Sequence, residues 1–311
     1  MRRLRLLLAL LLLSTGLTAC AEETEPEEPA PAITVSGAFG RVPVATFDVP
    51  LAMAETESEA LVEGEGRELV ADGPALVALT AYDGETGDLL ADRGAGEART
   101  LLLSPEEVGE DVYPVLLGAR EGSRILLTQP VTAQGTDRML VLVIDVLYTS
   151  AQGEELEPRA SFPGITVTED DGGVPTVALP DTDPPDTLEV GTIIRGDGRQ
   201  VRPEHAVTMQ YVAVVWPGGE VYDSTWADGQ VPRTVELAGT FDGLRDGLVD
   251  QTVGSRVIVV VPPALGTGSQ TLVFVVDILA VSDPALEGQD GAPSDESTEE
   301  PTDAPSEEPI D

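Results

Sequence analysis

The chain offers very few side chains suited to covalent chemistry. It has one cysteine, Cys20, and one histidine, His205. A lone cysteine cannot form an internal disulfide, and one Cys with one His cannot build a zinc site. Without a histidine base near a nucleophile, serine- and cysteine-based acyl transfer lacks its usual parts. His205 falls in Arg202-Pro203-Glu204-His205 and reads as a solvated turn residue rather than a catalyst. Gly196-Asp197-Gly198-Arg199 marks a turn, with no further basic residue to make a phosphate cradle. The acidic residues match no calcium loop of the D-x-D-x-D-G type. Most hydrolase and metal chemistry is thereby set aside, and no cofactor or metal is expected.

Charge narrows the partners. Fifty-six acidic residues against 17 basic ones give a formal net charge of −39. Nucleic acid is excluded as a partner, because phosphate binding requires Lys/Arg neutralisation. Hydrophobic residues make up 41% of the chain, enough for globular cores, but aromatics are only 4%. The cores must therefore be built from Val, Leu, Ile and Ala. Thirty-two glycines and 25 prolines favour short strands and turns over long helices.

The N-terminus has the layout of an export leader. Met1-Arg2-Arg3-Leu4-Arg5 is basic, Leu6 to Leu13 is an unbroken apolar run, and Ser14-Thr15-Gly16 follows. The run is too short for a permanent span. Leu17-Thr18-Ala19-Cys20 resembles the lipobox of bacterial lipoproteins. That resemblance implies cleavage of residues 1–19 and diacylglycerol on Cys20, hence attachment to the extracytoplasmic face of the cell membrane. Residues 20–31 then read as a lipidated cysteine with an acidic, Pro-rich disordered tether, and 283–311 as an acidic disordered tail.

Between these ends the sequence repeats at an offset of 132 residues. Ile33-Thr34-Val35 matches Ile165-Thr166-Val167, and Val42-Pro43 matches Val174-Pro175. Gly64-Glu65-Gly66-Arg67 matches Gly196-Asp197-Gly198-Arg199. Gly122-Ser123-Arg124 matches Gly254-Ser255-Arg256, and Ile144-Asp145-Val146-Leu147 matches Val276-Asp277-Ile278-Leu279. Five anchors at one offset predict two homologous domains, 32–149 and 163–282, joined by a linker at 150–162. Val-rich segments at Val207–Val215 and Arg256–Val261, and the run Leu272–Leu279, predict strands. Asp242–Val249 predicts a short helix with Leu244 and Leu248 on one face. The fold class is α+β: two antiparallel half-barrels, each a curved sheet covering a short helix.

In the second copy the order of motifs becomes specific. Val207-Thr208-Met209-Gln210-Tyr211 is similar to the V-x-V-x-Y strand of the FKBP-type peptidyl-prolyl isomerases. Gly219-Glu220-Val221-Tyr222-Asp223-Ser224-Thr225 resembles their G-x-x-F-D-S-S segment, and Phe241 to Leu248 their I-x-G-W-x-x-G-L helix. Val253-Gly254-Ser255-Arg256, Val261 to Gly266, and Thr271-Leu272-Val273-Phe274 complete the series. The resemblance covers Leu188 to Val281 and reaches the first copy through the repeat. It implies that Tyr211, Tyr222, Phe241, Leu244 and Phe274 line a proline pocket, with Val261 at its wall and Asp223 at its rim near the substrate carbonyl. Trp216 and Trp226 read as rim or surface aromatics without a role.

The departures from the family are as informative as the matches. Leu244 stands where the family usually has tryptophan, and Arg233 near where it has an aromatic. After Pro262-Pro263-Ala264-Leu265 the flap is short, Gly266 to Gln270, and the family's substrate-binding tyrosine hydroxyl has no counterpart. One net hydrogen bond is worth about 0.5–1.5 kcal/mol, and about 1.4 kcal/mol is tenfold in rate. The resemblance thus implies an isomerase slowed about ten-fold or more, acting on proline-containing segments of exported polypeptides. A non-catalytic peptide-binding or chaperone lipoprotein of the same fold is the alternative, and a stalk of two inert domains a third. In the first copy the offset puts Leu79, Leu90, Ala91, Gly109 (or, next to it, Val108) and Leu142 at the pocket positions. A degenerate, catalytically silent domain is expected there.

Overall fold

The structure, a computed structural model, describes residues 33–52, 55–91, 95–133, 136–156, 164–170, 173–227 and 229–283. The leader, Cys20, the tether, residues 157–163 of the linker region and the tail from Pro284 lie outside the described residues. Among those described, no helix is long and apolar enough to cross a membrane.

The first half begins with a hairpin of β1 (Thr34–Ser36) and β2 (Val44–Thr46). β3 (Glu57–Val62), β4 (Pro74–Asp83) and β5 (Ala98–Leu102) follow, then two four-residue helices, α1 (Pro105–Val108) and α2 (Tyr113–Leu116). β6 (Arg124–Ala133) and β7 (Thr136–Leu147) complete a five-stranded antiparallel sheet, in the order β3-β6-β7-β4-β5.

The linker contributes β8 (Glu154–Glu155). The second half has its own hairpin, β9 (Thr166–Glu169) with β10 (Pro175–Ala178). β11 (Glu189–Arg195), β12 (Ala206–Trp216), β13 (Val221–Ser224), β14 (Arg233–Glu236), helix α3 (Asp242–Leu248), β15 (Arg256–Val261) and β16 (Thr271–Ser282) follow. Its antiparallel sheet runs β13-β12-β16-β15-β11-β8, with β14 also on β12.

Both faces of each sheet are covered, which explains why its central strands read as unbroken apolar runs rather than alternating ones. In the second half, Val257, Val259 and Phe274 pack with Leu244 and Leu248 of α3 on one face. Val212, Ile258 and Val275 pack on the other face with Ile165 and Val167 of the hairpin region. The first half repeats this: Val77, Leu142 and Leu116 on one side, Tyr82, Val141 and Val143 with partly buried Val35 and Ala45 on the other. Leu147 and Leu76 of the first half meet Leu279 of the second in a small shared cluster.

The arginine and the aspartate of the last two repeat anchors turn out to be partners in each half. Arg124 grips Asp145 through Nε at 2.6 Å and Nη2 at 2.8 Å, and Arg256 grips Asp277 through the same atoms at 2.5 and 2.6 Å. Each pair pins the hairpin on the outer face of its sheet. Arg124 donates to the carbonyls of Gly37 and Ala38, and Arg256 to Glu169. Hydrogen bonding to Asp145 holds the Arg124 guanidinium above its ordinary pKa.

The helical segment differs between halves. α3 is one helix of seven residues, as expected, and its glycines are what let it lie against β15. A Cβ on Gly243 would come within 2.4 Å of Val261 Cγ1, and one on Gly247 within 2.5 Å of Val259 Cγ1. In the first half the chain is divided into α1 and α2 around Gly109, which has a φ of 91°.

Two expectations are corrected. His205 is not solvated but fully enclosed, at 0% exposure. Its Nδ1 accepts the Arg202 N–H at 3.1 Å and its carbonyl accepts the Leu237 N–H at 3.1 Å, so the turn folds over the ring. Its Nε2 lies 3.1 Å from Arg199 Nη2 and 3.4 Å from Asp283 Oδ1. Trp216 is not a rim aromatic either. It lies in the outer-face cluster at 2% exposure and donates from Nε1 to the Thr182 carbonyl at 2.9 Å, with Trp226 half-buried beside that cluster.

Candidate active site

One face of the second sheet and the start of α3 enclose a cavity of about 170 Å3. β12 contributes Tyr211 and β16 contributes Phe274, brought level by antiparallel pairing in which Tyr211 opposes Val276 and Ala213 opposes Phe274. Phe241 caps the N-terminus of α3, and Leu244 projects from its first turn. The Phe274 ring centroid lies 6.0 Å from that of Tyr211 and 5.9 Å from that of Phe241, both pairs tilted. These rings give an apolar hollow with aromatic walls.

Its lip is polar. Asp223, on β13, accepts a hydrogen bond from the Tyr211 hydroxyl at 2.5 Å. Arg233, the first residue of β14, donates from Nη1 to Asp223 Oδ2 at 3.0 Å and also to the Tyr211 oxygen, with its guanidinium 5.4 Å from the Tyr211 ring centroid. Burial works to raise the Asp223 pKa, but the hydrogen bonds from Tyr211 and Arg233 and the Arg233 charge outweigh it and hold the carboxyl below its ordinary 3.8. Tyr211 goes the other way. Burial first, then its bond to the carboxylate, pushes the phenol well up, so it stays a donor.

The structure therefore brings Tyr211, Asp223, Phe241, Leu244 and Phe274 around one space. Tyr222 reaches the same space from outside, with 59% of its surface exposed. Val261 does not line the cavity. It is on the correct face of β15, but α3 lies over it at Gly243 and leaves it 1% exposed in the core. Met209, Val235, Thr240, Thr267 and Leu272 also line the cavity without having been expected to. The strand period was a usable signal for Val235, two residues beyond Arg233 on the same face. Thr267 sits in the short flap, where no periodicity exists to find it.

The chemistry such a hollow can perform is modest. Rotation about an X-Pro amide meets a barrier of about 18–20 kcal/mol and takes tens to hundreds of seconds unaided. The twisted state has lost amide resonance and is less polar than the planar one, so a water-poor aromatic site favours it.

Comparison with known proteins decides the family. Residues 197–279 match the family described as FKBP-type peptidyl-prolyl cis-trans isomerase. The chain is 32% identical over 115 residues to a probable FK506-binding protein of Corynebacterium glutamicum, covering 97% of that protein and 34% of this chain. This chain belongs to the FKBP-type peptidyl-prolyl cis-trans isomerases. An FK506-binding protein of Streptomyces anulatus is 30% identical over 120 residues, 96% of its length and 34% of this chain.

Among solved structures the isomerase is similar to FkpA from Escherichia coli, at 22% identity and a TM-score of 0.29. That match covers 38% of this chain and about half, 52%, of FkpA. It is also similar to the three FKBP domains of wheat FKBP73, at 14% identity and a TM-score of 0.28, over 73% of this chain and 94% of that one. The mostly antiparallel sheet with few helices is consistent with an FKBP-like fold. As a member of this family the chain is a peptidyl-prolyl cis-trans isomerase.

A larger hollow, about 510 Å3, lies on the first half between β3 and the segment from Pro114 to Arg120. It has no aromatic side chain among its lining residues. Size alone does not make it a prolyl site.

Proposed function

We propose that this isomerase works through its second half, residues 163–282, on proline-containing segments of exported polypeptides, while a lipid on Cys20 holds it at the outer face of the cell membrane. The observation that carries the catalytic part is the contrast between the two halves. One holds an aromatic hollow with an ionised Asp223 at its lip. In the other, the matching Leu142 is buried in an aliphatic core, and Leu79 and Leu90 pack against it half-buried. The first half is then a degenerate FKBP-like domain that keeps the sheet and has lost the pocket.

In the second half, the proline ring enters between Tyr211, Phe241 and Phe274. Leu244 closes the floor and Asp223 faces the amide that twists. Desolvation and the fixed lip lower the barrier without covalent chemistry. The short flap leaves Thr267 as the polar side chain on that side, so the rate is expected to be about ten-fold below one with a further substrate hydrogen bond.

A prolyl-peptide assay on residues 163–282 tests the assignment. A rate within about twofold of the whole chain's is expected, and a folded fragment at background rate would reject it. If a variant without isomerase activity still suppresses client aggregation, the chaperone alternative gains. The anchoring part is tested by Cys20→Ser, which is expected to move the protein from the membrane to the soluble fraction.

A further inference from the structure

The lip of the cavity carries one cation, and only part of its hydrogen-bonding capacity is used. All the bonds Arg233 makes among the described residues leave from Nη1, to Asp223 and to the Tyr211 hydroxyl. Its Nε and Nη2 have no partner there, and its side chain is 49% exposed. Those two nitrogens form the side-on edge of the guanidinium, whose paired N–H groups match the two oxygens of a carboxylate. The fold itself shows what this edge does when filled. Arg124 and Arg256 grip Asp145 and Asp277 through Nε and Nη2. At the mouth of the prolyl cavity the same edge is open.

We propose that Arg233 is a specificity-determining residue, and that this isomerase favours bonds in which Asp or Glu immediately precedes proline. The inference rests on the assignment of this cavity as the isomerase site. With the ring of proline in the hollow, the amide that twists lies at the Asp223–Arg233 lip, and the preceding residue starts from that amide. Its side chain is the one that passes the open guanidinium edge. Asp223, the only carboxylate among the described residues lining the cavity, is already matched by Tyr211 and Arg233. It leaves the outer edge of the cation free to receive a second carboxylate.

The strongly negative chain opposes an acidic substrate at long range, but at physiological salt that field is screened beyond roughly 8 Å. Within contact distance the charge-assisted, two-bond geometry decides. The chain's own termini hold such dipeptides at Glu25-Pro26, Glu28-Pro29, Glu300-Pro301 and Glu308-Pro309.

The test uses the whole chain and peptides Ala-X-Pro-Phe with X as Glu, Gln, Leu or Lys. Both kcat/KM and Kd are measured at 0.15 M salt for wild type, Arg233→Met and Arg233→Lys. Gln is the neutral isostere of Glu, so the Glu:Gln ratio within each protein cancels any general loss of activity or binding. A ratio of about three to ten is expected for wild type, close to one for Arg233→Met, and intermediate for Arg233→Lys, which keeps charge but not the fork. A wild-type ratio near one, or a ratio unchanged in Arg233→Met, overturns the inference and leaves the site assignment standing. Absence of both turnover and binding for all four peptides overturns the site assignment together with it.

Discussion

Asp223 concentrates the residue-scale chemistry, because its charge is stabilised by three donors, the Tyr211 hydroxyl, Arg233 Nη1 and the Ser224 N–H, in a mostly apolar surround. Asp223→Asn is expected to lower kcat/KM about ten-fold, the value of one charge-assisted contact of about 1.4 kcal/mol. Its depressed pKa fixes the sign of the pH dependence. The ionised, active form persists above the ordinary carboxylate value of 3.8 and is lost only as pH falls through a still lower value. A rate profile flat from pH 8 to pH 4.5 is therefore expected, and a fall centred near pH 6 would assign the dependence to another group. The identities of Tyr211, Phe241, Leu244 and Phe274 were legible because each sits in an ordered motif. Val261 was not, since strand parity gives the face of the sheet but not what the helix lays over it. His205 departs from what its sequence neighbourhood suggests for a similar reason. Its polar neighbours describe a turn, while the burial comes from a distant strand end bonding back to its carbonyl.

At the scale of elements, α3 depends on glycine for contact with β15. Gly243→Ala puts a methyl 2.4 Å from Val261 Cγ1, and overpacking of this kind costs about 1–3 kcal/mol. Gly239→Ala, with nothing within 4 Å of its Cβ, is the control and is expected to stay within about 0.5 kcal/mol. Denaturant midpoints for the two variants check the difference. The Arg256–Asp277 pair is the second fixed point, with both side chains about 2% exposed or less. Asp277→Ala takes the Nε and Nη2 bonds from the buried guanidinium and leaves its Nη1 contact with Glu169, and is expected to destabilise by about 3 kcal/mol, read by urea unfolding. Both partners were already visible as repeat anchors, at Gly254-Ser255-Arg256 and Val276-Asp277-Ile278-Leu279. What spacing could not show was that these two anchors touch, or that the hairpins they pin close the outer faces of the sheets.

For the molecule as a whole, stability is tied to pH through His205. Burial, reinforced by the nearby Arg199 charge, lowers its pKa below the ordinary 6.5, against the opposing pull of Asp283 and Glu204. A group depressed on folding contributes stability that is present above its unfolded pKa and is lost as pH falls through the folded one. Unfolding midpoints are therefore expected to decline as pH falls below 6.5, and His205→Gln is expected to flatten that part of the decline. The aliphatics that stand in the first half at the positions of the second half's aromatics were readable at one offset. The open edge of Arg233 was not, because it depends on which nitrogen a side chain commits.

The central claim is that one water-poor hollow, in the second half alone, holds the proline. Its most direct test is the rate of cis-trans exchange of a prolyl peptide, followed by exchange spectroscopy with the full chain and with the double variant Tyr222→Ala, Asp223→Ala. Both residues lie at the lip, so the core is untouched and the fold is expected to persist by circular dichroism. The account predicts that catalysed exchange drops at least ten-fold, to near the uncatalysed rate. A folded double variant that exchanges the peptide as fast as wild type would contradict it.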